Sequence, residues 1–191
     1  MATMSWFAGI VLFTATVLVM EGFAYVLHRF VMHSKLGWNW HESHHREREG
    51  WFEKNDLYAV VFALPSILLI WGGLNGGWGD WATWTGAGVA FYGIIYFGFH
   101  DVIVHGRLPH RIVPRSRYFK RIVQAHKIHH AVESRDGAVS FGFIYAPPVD
   151  RLKQALKASA EARVRASKGR ANPPVVPAQA GTSADEGASA V

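Results

Sequence analysis

Ten of the chain's eleven histidines fall in four short windows: HRFVMH (28–33), HESHH (41–45), HDVIVH (100–105) and HKIHH (126–130). The spacings run HxxxxH then HxxHH, and then both again. The pattern of spacings is duplicated although the sequence is not. Neutral imidazole nitrogens are ligands for iron, zinc, copper or nickel, and the ligand type alone does not choose among these. Tetrahedral and octahedral ions take about four and six ligands, some of them water or substrate, so ten imidazoles suit two ions. Cysteine is absent, which excludes thiolate sites, disulfides and thiol nucleophiles. The ferritin-like di-iron pattern, two Glu-x-x-His motifs with two further Glu on four helices, is absent too. On an α-helix the three His of HxxHH lie within about 100° of one another, so they share a face. The two of HxxxxH lie about 140° apart, so the helix must end or bend for both to reach one site.

Three apolar segments must position these windows. Trp6–Leu27 carries one charge, Glu21, and at 1.5 Å per residue spans roughly 33 Å. Leu57–Leu74 and Ala82–Phe99 carry none and span about 27 Å each. NGGWGDW (75–81) between the last two reads as the turn of a transmembrane hairpin with interfacial tryptophans. Gly86, Ala90 and Gly93 would let another helix approach closely. Residues 1–28 and 57–106 hold no Lys or Arg, which argues against a secretory signal or an Arg-rich transit peptide. By the positive-inside rule the N-terminus is outside, and all four windows and the C-terminus are cytoplasmic. An even number of spans separates the two pairs of windows, so all four can converge. The expected fold is therefore all-α: an integral membrane protein of three spans with a cytoplasmic histidine-rich helical cap. The net charge of +6 is then a matter of topology, and no nucleic-acid-binding motif is present. Asp150 could cap a basic helix beginning RLKQALKASAEARVR. AVSFGFIYAPPV (138–149) is too short to span and reads as interfacial or re-entrant. The membrane domain is expected over 1–166, and the Ala/Pro/Gly/Ser-rich tail, 167–191, reads as disordered.

The windows and their surroundings resemble the membrane fatty acid hydroxylase superfamily, and within it the bacterial β-carotene 3-hydroxylases. The resemblance rests on HRFVMH, HESHHREREGWFEKNDLYAV, HDVIVHGRLP and QAHKIHHAVESRDGAVSFGFIYAPP, and covers roughly residues 20–150. It implies a non-haem di-iron monooxygenase of carotenoid biosynthesis in the bacterial cytoplasmic membrane, hydroxylating a ring methylene with O₂. The implied substrate is β-carotene, taken through cryptoxanthin to zeaxanthin, with ketocarotenoids such as canthaxanthin also accepted. It also implies that His28, His33, His41, His44, His45, His100, His105, His126, His129 and His130 are the iron ligands. His110 stands where the family more usually has an aromatic residue, and is not counted among them.

Physical chemistry is consistent with that implication. Breaking an aliphatic C–H bond calls for redox chemistry, which iron has and zinc lacks. A forty-carbon hydrocarbon dissolves in the bilayer, so its enzyme needs a pocket opening there. Electrons must come from outside, because no dinucleotide or flavin motif is present. The basic cytoplasmic face would steer an acidic ferredoxin-type donor, although topology alone also explains that face. Three rivals differ in chemistry. HESHH also satisfies the H-E-x-x-H zinc protease signature, but that reading leaves the other windows unexplained. A fatty acyl or sterol hydroxylase or desaturase would keep the superfamily and change the substrate. A metal carrier would call for ligands within the spans. Four further residues could support the site. Glu21 lies two turns before His28 and could orient a His, line the substrate pocket or pack helices. Asp101 and Asp136 could each hold an imidazole N–H, and Asn55 could contact a metal through water.

Overall fold

The computed structural model describes residues 4–48 and 50–171, and among these it is all helix, turn and irregular chain, with no strand. Helix α1 (Trp6–Leu27) starts where the Ser5 hydroxyl accepts from the Ala8 N–H. It widens into a π-helical turn at His28–Met32. A short α2 (Trp38–His41) tightens into a 3₁₀ turn at Glu42–His45. α3 (Asp56–Leu74) and α4 (Asp80–Tyr96) form the hairpin, and α4 also widens, into a π-helical stretch at Phe97–Val104. α5 (Arg117–His130) and α6 (Val149–Ala171) complete the chain.

Three helices are long and apolar enough to cross a membrane: Trp6–Met32, Asp56–Leu74 and Asp80–Val104. Their outward faces expose side chains such as Leu18, Leu64, Leu68 and Ile94. Hydrocarbon is the solvent such a surface requires. The hairpin turn uses Gly77 and Gly79 at φ +69° and +92°, a region that favours glycine. Close helix approach occurs at Gly86, where the Ser66 hydroxyl donates to the Gly86 carbonyl at 2.8 Å. Gly88 does the same against Thr16 of α1. Gly93, expected to serve that purpose, has nothing within 4 Å of where a Cβ would stand. Together with Ala90 it faces a cavity.

Between α5 and α6 the chain is irregular and runs back toward the spans. Phe143, Ile144 and Tyr145 donate their backbone N–H groups to a single oxygen, Oε1 of Glu21, at 2.9, 2.8 and 3.1 Å. The Tyr92 hydroxyl donates to Oε2 at 2.8 Å. Glu21 lies seven residues before His28, about 10 Å deeper along α1. The segment at 138–149, which reads from the sequence as interfacial or re-entrant, folds back alongside the last turns of α1. Backbone without a helix survives at that depth only when its donors are satisfied inside the protein, and one carboxylate satisfies three. Phe143 packs there on Ala24 and Tyr92. Asp150 lies in the first turn of α6 rather than before it, where its charge favours the helix N-terminus. α6 runs to Ala171, past the boundary expected at 166, and residues 172–191 lie outside those described.

Replacing Glu21 by Ala strips the acceptor from three adjacent N–H groups. At about 1 kcal/mol for each orphaned donor, the loss should be about 3 kcal/mol. Thermal denaturation in detergent should show a lower midpoint for Glu21→Ala and a smaller drop for Glu21→Gln, which keeps one oxygen. Equal midpoints for wild type and Glu21→Ala would show that the clasp carries no stability.

Candidate metal centre

Local helix geometry decides which histidines meet. In HRFVMH and HDVIVH the two His stand five residues apart, which an α-helix would splay. The π-helical turns change this: the His33 N–H donates to the His28 carbonyl at 3.1 Å, and the His105 N–H to the His100 carbonyl at 3.0 Å. An i→i+5 bond sets residue i+5 over residue i, so both rings leave one face. HKIHH closes α5, and HESHH runs from the end of α2 through the 3₁₀ turn.

All ten window histidines fall into two groups of five. His28, His33, His41, His45 and His129 form one, and His44, His100, His105, His126 and His130 the other. Within each group one nitrogen per ring lies within 4.8 Å of all the rest. Each HxxHH window is divided between the groups. His41 and His45 point to the first group and His44 to the second, whereas His126 and His130 point to the second and His129 to the first. The expectation that the three His of HxxHH share a face is corrected here. The i, i+4 pair shares a face, and the middle His projects across it.

The far nitrogens explain the orientation of the rings. Backbone carbonyls accept from Nδ1–H of four rings: Phe141 from His28 at 2.9 Å, Arg135 from His33 at 2.8 Å, Val132 from His45 at 2.8 Å and Val139 from His129 at 3.2 Å. Asn55 Oδ1 accepts from His41 at 2.8 Å, Glu53 Oε2 from His44 at 3.2 Å and Asp101 Oδ1 from His100 at 3.1 Å. A carbonyl can only accept, so the proton sits on Nδ1, and in a neutral ring Nε2 keeps a bare lone pair. Burial holds these rings neutral. It lowers His45 to about 4, where the charge of His33 adds to the effect. Burial is also the first cause at His44, His41 and His129, whose neighbouring imidazoles depress them further.

Those bare nitrogens face one another. Nε2···Nε2 separations are 3.1 Å for His28–His41, 3.2 Å for His41–His45, 3.2 Å for His33–His129 and 2.8 Å for His44–His100. With both Nδ1 atoms protonated, none of these contacts is a hydrogen bond. Each is a pair of opposed lone pairs, and a cation between them is what makes it favourable. Metal–nitrogen bonds of about 2.1 Å put adjacent octahedral ligands roughly 3.0 Å apart. The donor set and its spacing fit two transition-metal ions.

Aromatic rings cover both groups. Phe143 stacks on His28 (centroids 5.9 Å, interplanar angle 7°) and meets His100 edge-on at 5.2 Å. Tyr96 stacks on His100 at 4.4 Å. A cavity of about 560 Å³ lies among α1, α3 and α4, walled by residues such as Ala63, Phe62, Ala90 and Gly93. It reaches His28 and His41 of one group and His100 of the other.

The other singled-out residues separate. Asp101 and Asn55 hold imidazoles directly. Asn55 was expected at a metal through water, but its oxygen is taken by His41, and it gives up the N-cap bond of α3 to do this. Asp136 reaches no imidazole; it pairs with Arg135 at 3.0 Å on the surface. Glu21 touches no ring either. His110 lies outside both groups, and its Nδ1 accepts from the Ile112 N–H. Glu53 was not singled out in the sequence. Its side chain is 9% exposed, and Arg107, bonded to Asp56 at 2.7 Å, stands 4.0 Å from it. The run EKND at the mouth of α3 held the signal, with three hydrogen-bonding side chains packed before an apolar helix.

A fatty acid hydroxylase family model matches residues 13–154. The chain is 57% identical over 145 residues to a beta-carotene hydroxylase of Paracoccus sp. (strain PC1), covering 76% of this chain and 88% of that one. It is 53% identical over 154 residues to a beta-carotene hydroxylase of another Paracoccus strain (N81106), covering 81% and 94%. It is 48% identical over 165 residues to a beta-carotene hydroxylase of Pantoea ananas, covering 86% and 93%. No solved structure matches. Two five-histidine groups at the ends of membrane-length helices, and a family match that takes in all four windows, lead to one conclusion: the chain belongs to the fatty acid hydroxylase family.

Proposed function

We propose that the chain hydroxylates the β-ionone rings of β-carotene, and of related carotenoids such as canthaxanthin, at C3. The observation that carries this reading is the apolar cavity meeting both histidine groups. Its lining includes Ile67, Ile94 and Phe97, which are also exposed on the faces of the spans. A substrate dissolved in the bilayer can therefore enter sideways, ring first. The beta-carotene hydroxylases at 48–57% identity support the same substrate.

His28, His33, His41, His45 and His129 would hold one iron ion, and His44, His100, His105, His126 and His130 the other. Bound iron supplies the activation of O₂ needed to insert one oxygen atom into an unactivated C–H bond. The chain's own residues do the rest. The acceptors on Nδ1 aim the Nε2 lone pairs inward, and burial keeps the imidazoles unprotonated and ready to ligate. Phe141, Phe143 and Tyr96 screen the rings from water. The cavity wall holds the substrate ring at the polar end, beside His28, His41 and His100, with the polyene trailing into lipid. One ring reacts, leaves and is replaced by the other, so the mono-hydroxylated product should accumulate transiently.

The membrane is the bacterial cytoplasmic membrane and the metal site faces the cytoplasm, as the distribution of Lys and Arg supports. Electrons come from an acidic ferredoxin-type donor. His105 and His130 are the half-buried ligands, and the charges of Arg48 and Arg107 reach His105.

Two outcomes test this reading. Expression in cells that accumulate β-carotene should give a mono- and then a di-hydroxylated product, labelled at the hydroxyls under ¹⁸O₂. Modified acyl chains with untouched carotenes would transfer the chain to another substrate, and label drawn from water would remove the oxygenase chemistry. Gly93→Leu should fill the open part of the cavity and lower carotene turnover by on the order of tenfold or more, with iron content unchanged. Unimpaired turnover would show that the substrate lies elsewhere.

A further inference from the structure

The two histidine groups differ in what stands behind them. In the group of His28, every acceptor on an Nδ1–H is neutral: the carbonyls of Phe141, Arg135, Val132 and Val139, and the amide oxygen of Asn55. In the group of His44, two acceptors are carboxylates, Glu53 on His44 and Asp101 on His100. Asp101 is buried and Glu53 half-buried, with side chains 11% and 9% exposed. Among the described residues one guanidinium, that of Arg107, comes within 4 Å of this acidic set, and its bond at 2.7 Å is to Asp56. The charge of Arg48 also reaches Glu53 and Asp101, so three carboxylates, Glu53, Asp56 and Asp101, face two guanidinium groups. Partly desolvated carboxylates in excess of their countercharge are costly, and a metal ion held by His44 and His100 would add positive charge on the far side of the two rings that Glu53 and Asp101 engage.

We propose that Glu53 and Asp101 are positioning residues that make the two sites unequal, so that the His44 group binds its ion more tightly than the His28 group. A carboxylate on Nδ1–H draws the proton toward itself and gives the imidazole part of the character of its anion. That raises the basicity of Nε2 and strengthens its bond to the metal. A carbonyl or amide oxygen does this more weakly. The ten His have equal chemistry in the sequence, and the inequality comes from their partners. Asn55 and Glu53, two residues apart in EKND, serve opposite groups: Asn55 holds His41 and Glu53 holds His44.

The inference rests on the reading that each group holds an iron ion, and the experiment separates the two claims. Full-length enzyme purified with ⁵⁷Fe is exposed to a chelator, and the iron remaining is followed by metal analysis and Mössbauer spectroscopy. Wild type should lose one ion before the other, leaving one quadrupole doublet at half-loading. Glu53→Gln and Asp101→Asn keep shape and hydrogen-bonding capacity but remove charge. Each should release the retained ion 10–100-fold more readily and leave the first-lost ion unchanged. Asn55→Asp, which places a carboxylate on His41, should slow loss of the first-lost ion. Simultaneous loss of both ions from wild type would overturn the inference, as would variants that speed both ions equally or neither. Enzyme that holds fewer than two ions from the start would overturn the two-iron reading instead, and the inference with it.

Discussion

Everything in this molecule is arranged around opposed lone pairs. Ten uncharged imidazoles are brought together with their Nε2 atoms about 3 Å apart, a placement that repels until cations lie between them. The protein holds seven of the ten by engaging the rings from behind, so that turning one of these outward would sacrifice a hydrogen bond. Burial is part of the same device, because a protonated imidazole would both repel its neighbours and lose its capacity to ligate.

That constraint explains the least regular part of the chain. Four of the acceptors are backbone carbonyls at 132, 135, 139 and 141, all in the connection between α5 and α6. Helical residues could not supply them, because a helix spends its carbonyls on its own N–H groups. The connection must therefore be non-helical and yet approach the spans, where unsatisfied N–H groups are most costly. Glu21 resolves the conflict by accepting from 143, 144 and 145. An acid within a span thus serves the site from a distance, through the backbone that holds His28, and without touching a histidine.

Legibility in the sequence followed the range of each interaction. The three spans and the ten histidines were readable because runs of apolar residues and short spacings are local signals. The division into two groups was not: His28 meets His33, and His100 meets His105, through π-helical turns that an α-helical period cannot anticipate, and the middle His of each HxxHH reaches the opposite group through tertiary packing. Nor were the partners of Nδ1: carbonyls carry no side-chain signature, and Glu53 holds His44 across an irregular loop. Gly93 and Gly86 looked alike in the sequence. One lies against Ser66 and the other opens into the cavity, and only their positions around α4 distinguish them.

The duplicated spacing has a mechanical consequence. The first pair of windows, 28–45, sends four histidines to one group and His44 to the other. The second pair, 100–130, sends four to the second group and His129 back to the first. Each half of the protein could nearly complete a group of five alone, and each lends one histidine to its counterpart. The exchanged residues adjoin the i, i+4 pairs on the same helical turns, so a shift of α5 or of the 41–45 turn moves histidines of both groups together. An arrangement of two self-contained groups would let one shift independently of the other. Here the rings of His45 and His130, from different groups, stack at 4.5 Å. With ligands exchanged and rings in contact, the two groups are bound to move as one unit.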